Sequence, residues 1–105
     1  MTPPEPIIPQ KVTKWLLRAI WNDPAYQEPL RRRTTERVMV REELAPPEAE
    51  QVPGALSRIY DIWDNVANEF LGTFHCYRNP DGGIGASGKE DPMWLLVNGV
   101  LMCDP

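Results

Sequence analysis

The pair Asn98-Gly99, which separates two short apolar runs, constrains the fold of this chain more than any other feature. The runs are residues 93–97 and 100–103. A tight type I′ turn needs positive φ at both central residues, and Asn-Gly is the pair that tolerates this best. The sequence therefore predicts an antiparallel β hairpin near its C-terminal end.

A further strand is predicted shortly before this hairpin. Residues 73–78 alternate, so that Phe74 and Cys76 point to one side and His75 and Tyr77 to the other. Residues 79–82 read Asn-Pro-Asp-Gly, which is typical of a type I turn. We therefore expect a small antiparallel β meander of about three strands in the C-terminal part of the chain.

Two segments have the apolar spacing of amphipathic helices. In residues 11–22 the predicted apolar face consists of Val12, Trp15, Leu16, Ala19 and Ile20. In residues 55–71 it consists of Leu56, Ile59, Tyr60, Trp63, Val66, Ala67 and Phe70, and Gly72 would close this helix as its C′ residue. The predicted fold class is α+β, with two amphipathic helices packed on a small C-terminal antiparallel β meander.

The residues between these helices give weaker signals. Asp23-Pro24 predicts the start of a second, short helical piece that Pro29 limits and that Tyr26 and Leu30 could dock. Residues 31–44 fit a strand or a helix, and we favour a strand because residues 37–41 partly alternate. Residues 46–54 are predicted to be a linker with one helical turn at 48–52.

The chain length of 105 residues allows one core, so we expect a single domain over residues 11–105. Four prolines in residues 1–10 predict a flexible proline-rich arm. We recognise neither a secretory signal nor a membrane-spanning run, and we expect a cytoplasmic protein with no membrane partner. Cys76 and Cys103 are then expected to be free thiols.

The glycine-rich segment 83–89 resembles part of a catalytic motif. It satisfies the first seven positions of a P-loop, but Glu90 stands where the motif requires a serine or threonine that binds magnesium. Asp91-Pro92 then leads into an apolar run in place of a long helix. We therefore do not predict nucleotide hydrolysis, and an anion-binding turn that includes Lys89 is the alternative left open.

Other reactive side chains do not form a recognisable site. His75 and Cys76 are neighbours in a predicted strand, and they point to opposite faces, which disfavours a shared metal or a nucleophilic pair. Asp61 and Asp64 lie three residues apart on the predicted helix and could seat a cation or act as an acid/base pair, although solvated acids are the ordinary interpretation. We predict no cofactor, no metal and no catalytic residues.

Charge is unevenly distributed in this chain, whose net charge is −4. The segment 31–41 contains five arginines against Glu36 alone: Arg31, Arg32, Arg33, Arg37 and Arg41. With Trp15, Trp21 and Tyr26 near in sequence, this segment could bind a nucleic acid or another anion. The alternative is that the arginines pair with carboxylates of the acidic C-terminal half or are simply solvated at the surface.

Three functional hypotheses follow. The first is a small non-enzymatic protein–protein interaction module, binding itself or another protein through exposed aromatic residues or an edge strand. Its predicted partner-binding residues are Trp21, His75, Tyr77 and Trp94. The second is a nucleic-acid or phosphate binder that uses the five arginines and Lys89, and the third is a small enzyme with an unrecognised site.

Overall fold

The computed structural model describes residues 8–85 and 90–105. These residues form one six-stranded sheet and two short helices. The elements are β1 (Gln10–Lys11), α1 (Lys14–Trp21), α2 (Pro24–Arg31), β2 (Thr35–Leu44), a 3-10 turn (Pro47–Ala49), β3 (Leu56–Asp64), β4 (Glu69–Arg78), β5 (Asp91–Val97) and β6 (Val100–Cys103). The strand order is β1-β6-β5-β4-β3-β2, and every neighbouring pair is antiparallel except β1 with β6.

The predicted fold class, α+β with two amphipathic helices on a small C-terminal antiparallel β meander, is wrong. Both helices lie on the N-terminal side, before β2, and five of the six strands, β2 to β6, follow them toward the C-terminal end. The segment 55–71, predicted as the longer helix, contains β3 and the start of β4. Tyr60 and Ile62 face the core, while Ile59 and Trp63 alternate to the other side, so apolar residues on both faces imitated a helical stripe.

A turn between β3 and β4 interrupts the segment 55–71 that was predicted to be one helix. The Asp64 side chain accepts hydrogen bonds from the backbone N–H groups of Val66 and Ala67, both at 2.9 Å, and Asn68 has a φ of 52°. Such side-chain to backbone bonds are typical of turns that begin at aspartate. Asp64 and Asn68 are therefore turn residues.

The other local predictions agree better with the structure. Val97 pairs with Val100 across a turn in which Asn98 and Gly99 have φ values of 48° and 79°, which confirms the hairpin. The turn at 79–82 is confirmed, since the N–H of Gly82 donates to Asn79 O at 2.9 Å. Residues 37–41 are a strand, as predicted, within the longer β2.

Helix α1 is confirmed, but its buried face differs from the predicted one. The chain enters the helix at Thr13, whose side chain accepts from Leu16 N. Leu17 and Trp21 are buried, whereas Trp15 is 76% exposed. The predicted apolar face included Val12, which precedes the helix, and this rotated the predicted face away from Leu17 and Trp21. Helix α2 begins after Asp23 as predicted, and its Tyr26 and Leu30 pack against the core.

The core lies between the helices and one face of the sheet. Its buried members are Leu17, Trp21, Ile62, Leu71, Phe74, Cys76 and Leu95. Trp21 stacks on Phe74 with ring centroids 6.2 Å apart, and Phe74 stacks on Tyr60 at 5.2 Å. Each large side chain removed from water in this way contributes about 1.5–3 kcal/mol, so these rings join α1 to the middle of the sheet.

Gly72 is a strand residue rather than a helix terminus. A β carbon at this position would lie 2.5 Å from the carbonyl oxygen of Trp94 in β5, which is backbone and has little freedom to move. We expect the substitution Gly72→Ala to lower the free energy of unfolding by about 1–3 kcal/mol, because β4 and β5 must separate. Urea denaturation measures this change.

Gly83→Ala is the matched control for this substitution. Its β carbon would meet only the side chain of Asp81, at 3.2 Å, and that side chain can move aside. Equal losses of stability in the two variants would contradict the explanation by close strand approach.

Candidate functional site

Strand β2 forms one edge of the sheet and, among the described residues, has a neighbouring strand on one side only. All ten of its residues are exposed. Apolar side chains are among them, with exposed fractions of 40% for Val38, 48% for Met39, 53% for Val40 and 71% for Leu44. A long exposed edge of this kind is a template for pairing with another chain.

The hydrogen bonds at the two ends of β2 show which backbone groups point outward. Thr34 O accepts from Asn65 N at 2.9 Å, and Ala45 N donates to Ala55 O at 3.0 Å. Residues alternate between inward and outward backbone groups along an antiparallel ladder. The outward groups therefore belong to Thr35, Arg37, Met39, Glu42 and Leu44.

A β-bulge interrupts this alternation in the middle of the strand. Met39 pairs with Tyr60, but the next paired residue, Arg41, is opposite Ile59, so Val40 is the extra residue. The bulge shifts the outward positions from odd to even residue numbers. Bulges are common on edge strands, where they change the twist and restrict pairing.

The opposite edge of the described sheet is much shorter. Strand β1 has two residues, and it covers part of β6, which has four. Short edge strands are one way in which proteins avoid pairing with other chains. Strand β2 is therefore the main candidate for pairing within the described part of the chain.

Three of the four predicted partner-binding residues lie on the face of the sheet that points away from the helices. We call this face the aromatic face. By strand alternation and register, this face carries Ser57 and Asp61 and the following seven residues: Ile59, Trp63, Phe70, Thr73, His75, Tyr77 and Trp94. His75 and Tyr77 are in edge-to-face contact at 4.6 Å, and all seven are half-buried.

The fourth predicted residue, Trp21, lies elsewhere. It belongs to the core under α1 and is only 6% exposed. A partner therefore cannot reach its ring in the folded chain. The exposed tryptophan of α1 is Trp15, which the sequence had placed on the buried face of the helix.

His75 and Ser57 form a hydrogen bond on the aromatic face, with Oγ and Nε2 2.7 Å apart. A serine beside a histidine is the minimal pair for nucleophilic catalysis when a third group orients the histidine. Asp91, the residue opposite His75 in β5, is held by Arg18 at 2.9 Å and Lys14 at 3.3 Å. Because the Asp91 carboxylate is engaged by these two cations, we interpret the Ser57–His75 hydrogen bond as a structural contact between β3 and β4.

The five predicted anion-binding arginines do not form one basic patch. Arg31 and Arg32 lie at the end of α2, whereas Arg37 and Arg41 are on β2, on its helix side and its aromatic side respectively. Four of the five form salt bridges: Arg32 with Glu28, Arg33 with Asp64 and Glu69, Arg37 with Glu90, and Arg41 with Glu43. Pairing with the acidic C-terminal half, the alternative predicted from the sequence, describes Arg33 and Arg37, whereas Arg32 and Arg41 pair with carboxylates close to them in the chain.

Part of the glycine-rich segment, including Lys89, lies outside the described residues. Of its described members, Gly83 N donates to the Asp81 side chain and Gly85 N donates to Tyr77 O, both at 2.8 Å. These two amides are engaged within the chain. They therefore offer no donors to a bound anion.

Asp61 and Asp64 are separated by the sheet. Asp61 accepts from Thr73 Oγ1 at 2.8 Å on the aromatic face, whereas Asp64 is buried near the helices. Hydrogen bonds from Ala67 N and Val66 N, together with Arg33, lower the pKa of Asp64 against the effect of its burial. No group of three or more His, Cys, Asp or Glu side chains within residues 8–85 and 90–105 could hold a metal ion.

Cys76 and Cys103 are free and buried. Burial is the main cause that raises the pKa of Cys76, so its thiol stays protonated. Cys76 faces the core and His75 the aromatic face, as the alternation of residues 73–78 predicts. A thiolate nucleophile at Cys76 is therefore disfavoured.

A cleft of about 400 Å³ lies between α2 and the β5–β6 turn, lined in part by Tyr26, Leu30 and Val97. Burial raises the pKa of Tyr26 to about 12, and its hydroxyl donates to Leu96 O at 3.0 Å. The two charged residues of the lining, Arg33 and Glu69, are paired with each other at 2.7 Å. We therefore interpret the cleft as a gap in the packing of α2 against the β5–β6 turn rather than as a ligand site.

No protein-family model, no curated protein and no solved structure matches this chain. Among the described residues, no helix combines the length and apolar character needed to cross a membrane. Function must therefore be inferred from the surfaces of this molecule. Among the surfaces formed by residues 8–85 and 90–105, the edge of β2 is the longest strand edge that has no neighbouring strand.

His75 gives a prediction about pH because it is the single histidine of the chain. Burial is the main cause that lowers its pKa from 6.5; the charge of Lys14 adds to this, and Asp91 opposes it. The stability due to neutral His75 is therefore present above pH 6.5 and is lost as the pH falls below that value toward the folded pKa. We expect the free energy of unfolding to decrease between pH 7 and pH 5.

The variant His75→Gln keeps a side chain that can bond with Ser57 but cannot titrate. Its unfolding free energy should be nearly flat over the same pH range, as measured by chemical denaturation at each pH. An unchanged slope in this variant would assign the pH dependence to other groups.

Proposed function

We propose that this protein is a non-enzymatic protein–protein interaction module, and that its partner pairs with the free edge of β2. The observation that supports the proposal is a ten-residue edge strand that is exposed along its entire length. An added strand would bond to the outward N–H and C=O groups of β2. Main-chain bonds of this kind provide affinity in strand-addition complexes, and side chains provide specificity.

The side chains of β2 are suited to selective rather than general pairing. Val38, Met39 and Val40 would lose contact with water on binding, which favours association. The same strand carries Glu36, Arg37, Arg41, Glu42 and Glu43. Charged residues on an edge oppose pairing with chains that lack complementary charges.

The aromatic face continues the proposed binding surface from β2 across the sheet. Val38 is opposite Asp61, Asp61 is opposite Thr73, and Thr73 is opposite Trp94. A partner that pairs with β2 and extends over this face would contact His75, Tyr77 and Trp94. Trp21 is not part of the proposal because it belongs to the core.

No second function is proposed. Four of the five arginines of the 31–41 segment form salt bridges, which leaves nucleic-acid binding without a supporting observation. Catalysis lacks one as well, since the Ser57–His75 pair has no orienting acid among its described hydrogen bonds. We further propose a cytoplasmic location, and the two free thiols support a reducing compartment.

The test compares two variants that add the same charge at matched exposed positions. Met39→Lys changes the β2 edge, where the side chain is 48% exposed, and Val100→Lys changes the start of β6, where it is 42% exposed. We expect Met39→Lys to weaken association about tenfold or more, because a lysine on an edge disfavours strand addition. Val100→Lys should leave association unchanged.

Two measurements read out the association. Sedimentation velocity over a range of concentrations detects binding of the protein to itself, and affinity purification with each variant as bait detects other proteins. Circular dichroism and thermal melting should show that both variants are folded. The proposal fails if the protein is monomeric and no bound protein distinguishes Met39→Lys from Val100→Lys.

A further inference from the structure

We infer that the partner of the β2 edge is a second copy of this chain, bound antiparallel so that Arg37 of each copy lies opposite Glu42 of the other. This inference rests on the proposed function, since it identifies the partner of the same edge. In this arrangement Thr35 lies opposite Leu44 of the second copy. The two-fold axis passes between Met39 and Val40, perpendicular to the sheet.

The bulge at Val40 makes the backbone of β2 complementary to itself on both sides of the strand centre, where Met39 lies opposite Val40 of the second copy. The outward groups belong to odd-numbered residues before the bulge (Thr35, Arg37) and to even-numbered residues after it (Glu42, Leu44). A symmetric pairing about the centre of a ten-residue strand always places odd residues opposite even ones. Without the bulge it would set outward groups against inward groups; with it, outward groups meet outward groups.

The number of backbone bonds formed in this register is considerable. Thr35 with Leu44 and Arg37 with Glu42 each occur twice because of the two-fold symmetry. Each such pair exchanges two N–H to O=C bonds, which gives about eight bonds between the copies. The two sheets would then form one continuous sheet with the helices of both copies on the same side.

Arg37 and Glu42 also lie on the same face of β2. Arg37 is opposite Ile62, a core residue, and its guanidinium carbon is 4.9 Å from the centroid of the Phe74 ring. Glu42 is opposite Arg58, which is itself opposite the core residue Cys76. Both side chains are therefore on the helix side, where opposed residues of two copies meet directly.

The existing ion pairs extend this contact into a row of alternating charge. Within one copy Arg37 already bonds to Glu90, and Glu42 already bonds to Arg58 at 2.6 Å. Pairing of two copies produces the sequence of charges Glu90, Arg37, Glu42, Arg58, in which the last two belong to the second copy. Opposite charges that face each other across strands stabilise a sheet, and like charges destabilise it.

The other face of β2 limits the affinity of this dimer. The same register sets Glu36 opposite Glu43 of the second copy, which is unfavourable. Arg41 lies 3.1 Å from Glu43 and offsets part of that repulsion. The Arg37–Glu42 pairs are therefore the contacts that define the register.

The test exchanges the two charges between copies. In Arg37→Glu alone, and in Glu42→Arg alone, both cross-strand pairs of a homodimer become like-charged. In an equimolar mixture each heterodimer joins the introduced glutamate to the introduced arginine and keeps the native Arg37 opposite the native Glu42. Repulsion between the two copies is therefore present in each variant alone and absent from the heterodimer, whereas the like charges within each chain, toward Glu90 or Arg58, are the same in both cases.

Sedimentation velocity over a concentration series gives the dissociation constants. We expect each variant alone to dissociate about tenfold more readily than the native protein, and the mixture to return to within about threefold of it. Mixing two chains cannot repair a folding defect in either one. Recovery in the mixture therefore reports the contact itself, even if one variant is also less stable.

The outcomes separate this inference from the proposed function. A native protein that is monomeric but binds another protein in a way that Met39→Lys abolishes overturns the dimer and leaves the interaction module standing. A dimer that Met39→Lys weakens but that the mixture does not restore overturns the register. A dimer insensitive to all three substitutions overturns both proposals.

Discussion

The packing of Leu17 and Trp21 on Phe74 and Leu95 determines which surfaces of this protein are covered and which are free. Helix α1 approaches β5 and β6 most closely, at the side of the sheet remote from β2. An eight-residue helix is about 12 Å long, and six strands span about 24 Å. Helices of this length at that side of the sheet do not reach β2, so β2 stays exposed.

Beyond the ends of the helices, arginine side chains cover part of the hydrophobic core. The guanidinium of Arg37 lies over the Phe74 ring, and the same residue bonds to Glu90, just ahead of β5. Arg33 similarly joins Asp64 and Glu69 at the ends of β3 and β4. Long arginine stems can shield apolar surface while their charged ends stay solvated or paired. The basic segment that resembles a nucleic-acid site in the sequence is thus distributed among structural contacts.

Features decided by local backbone geometry could be predicted from the sequence. The hairpin at Asn98-Gly99 and the helix start at Asp23 depend on φ values and caps that neighbouring residues specify. The β3–β4 hairpin could not be distinguished from a helix by its apolar pattern. Apolar residues lie on both faces of β3, Ile59 and Trp63 on one and Tyr60 and Ile62 on the other, so their spacing fits the helical period as well as the strand period. Asp64 and Asn68, whose residue types favour turns, are the feature of the sequence that indicates a hairpin rather than a helix here.

The candidate site could be predicted only in part, for a different reason. The sequence indicated that residues 37–41 form a strand, and that His75 and Tyr77 share a face. That β2 lies at the edge, and that Trp94 lies on the same face as His75, depends on strand order and register. Those are set by contacts between residues far apart in the chain. The bulge at Val40 is of the same kind, since it exists only relative to β3.

An exposed edge creates a conflict between selective binding and uncontrolled growth, and symmetry is one way to resolve it. A head-to-tail arrangement joins two different surfaces and leaves one of each free, so further copies can add. Pairing of β2 with itself would use the same edge on both copies and, in the described sheet, would leave free only the short edge formed by β1 and β6. Association would therefore stop at two copies, and the charges of β2 would oppose strands that do not repeat its pattern. A strand that must be exposed in the free chain can thereby serve as a specific contact.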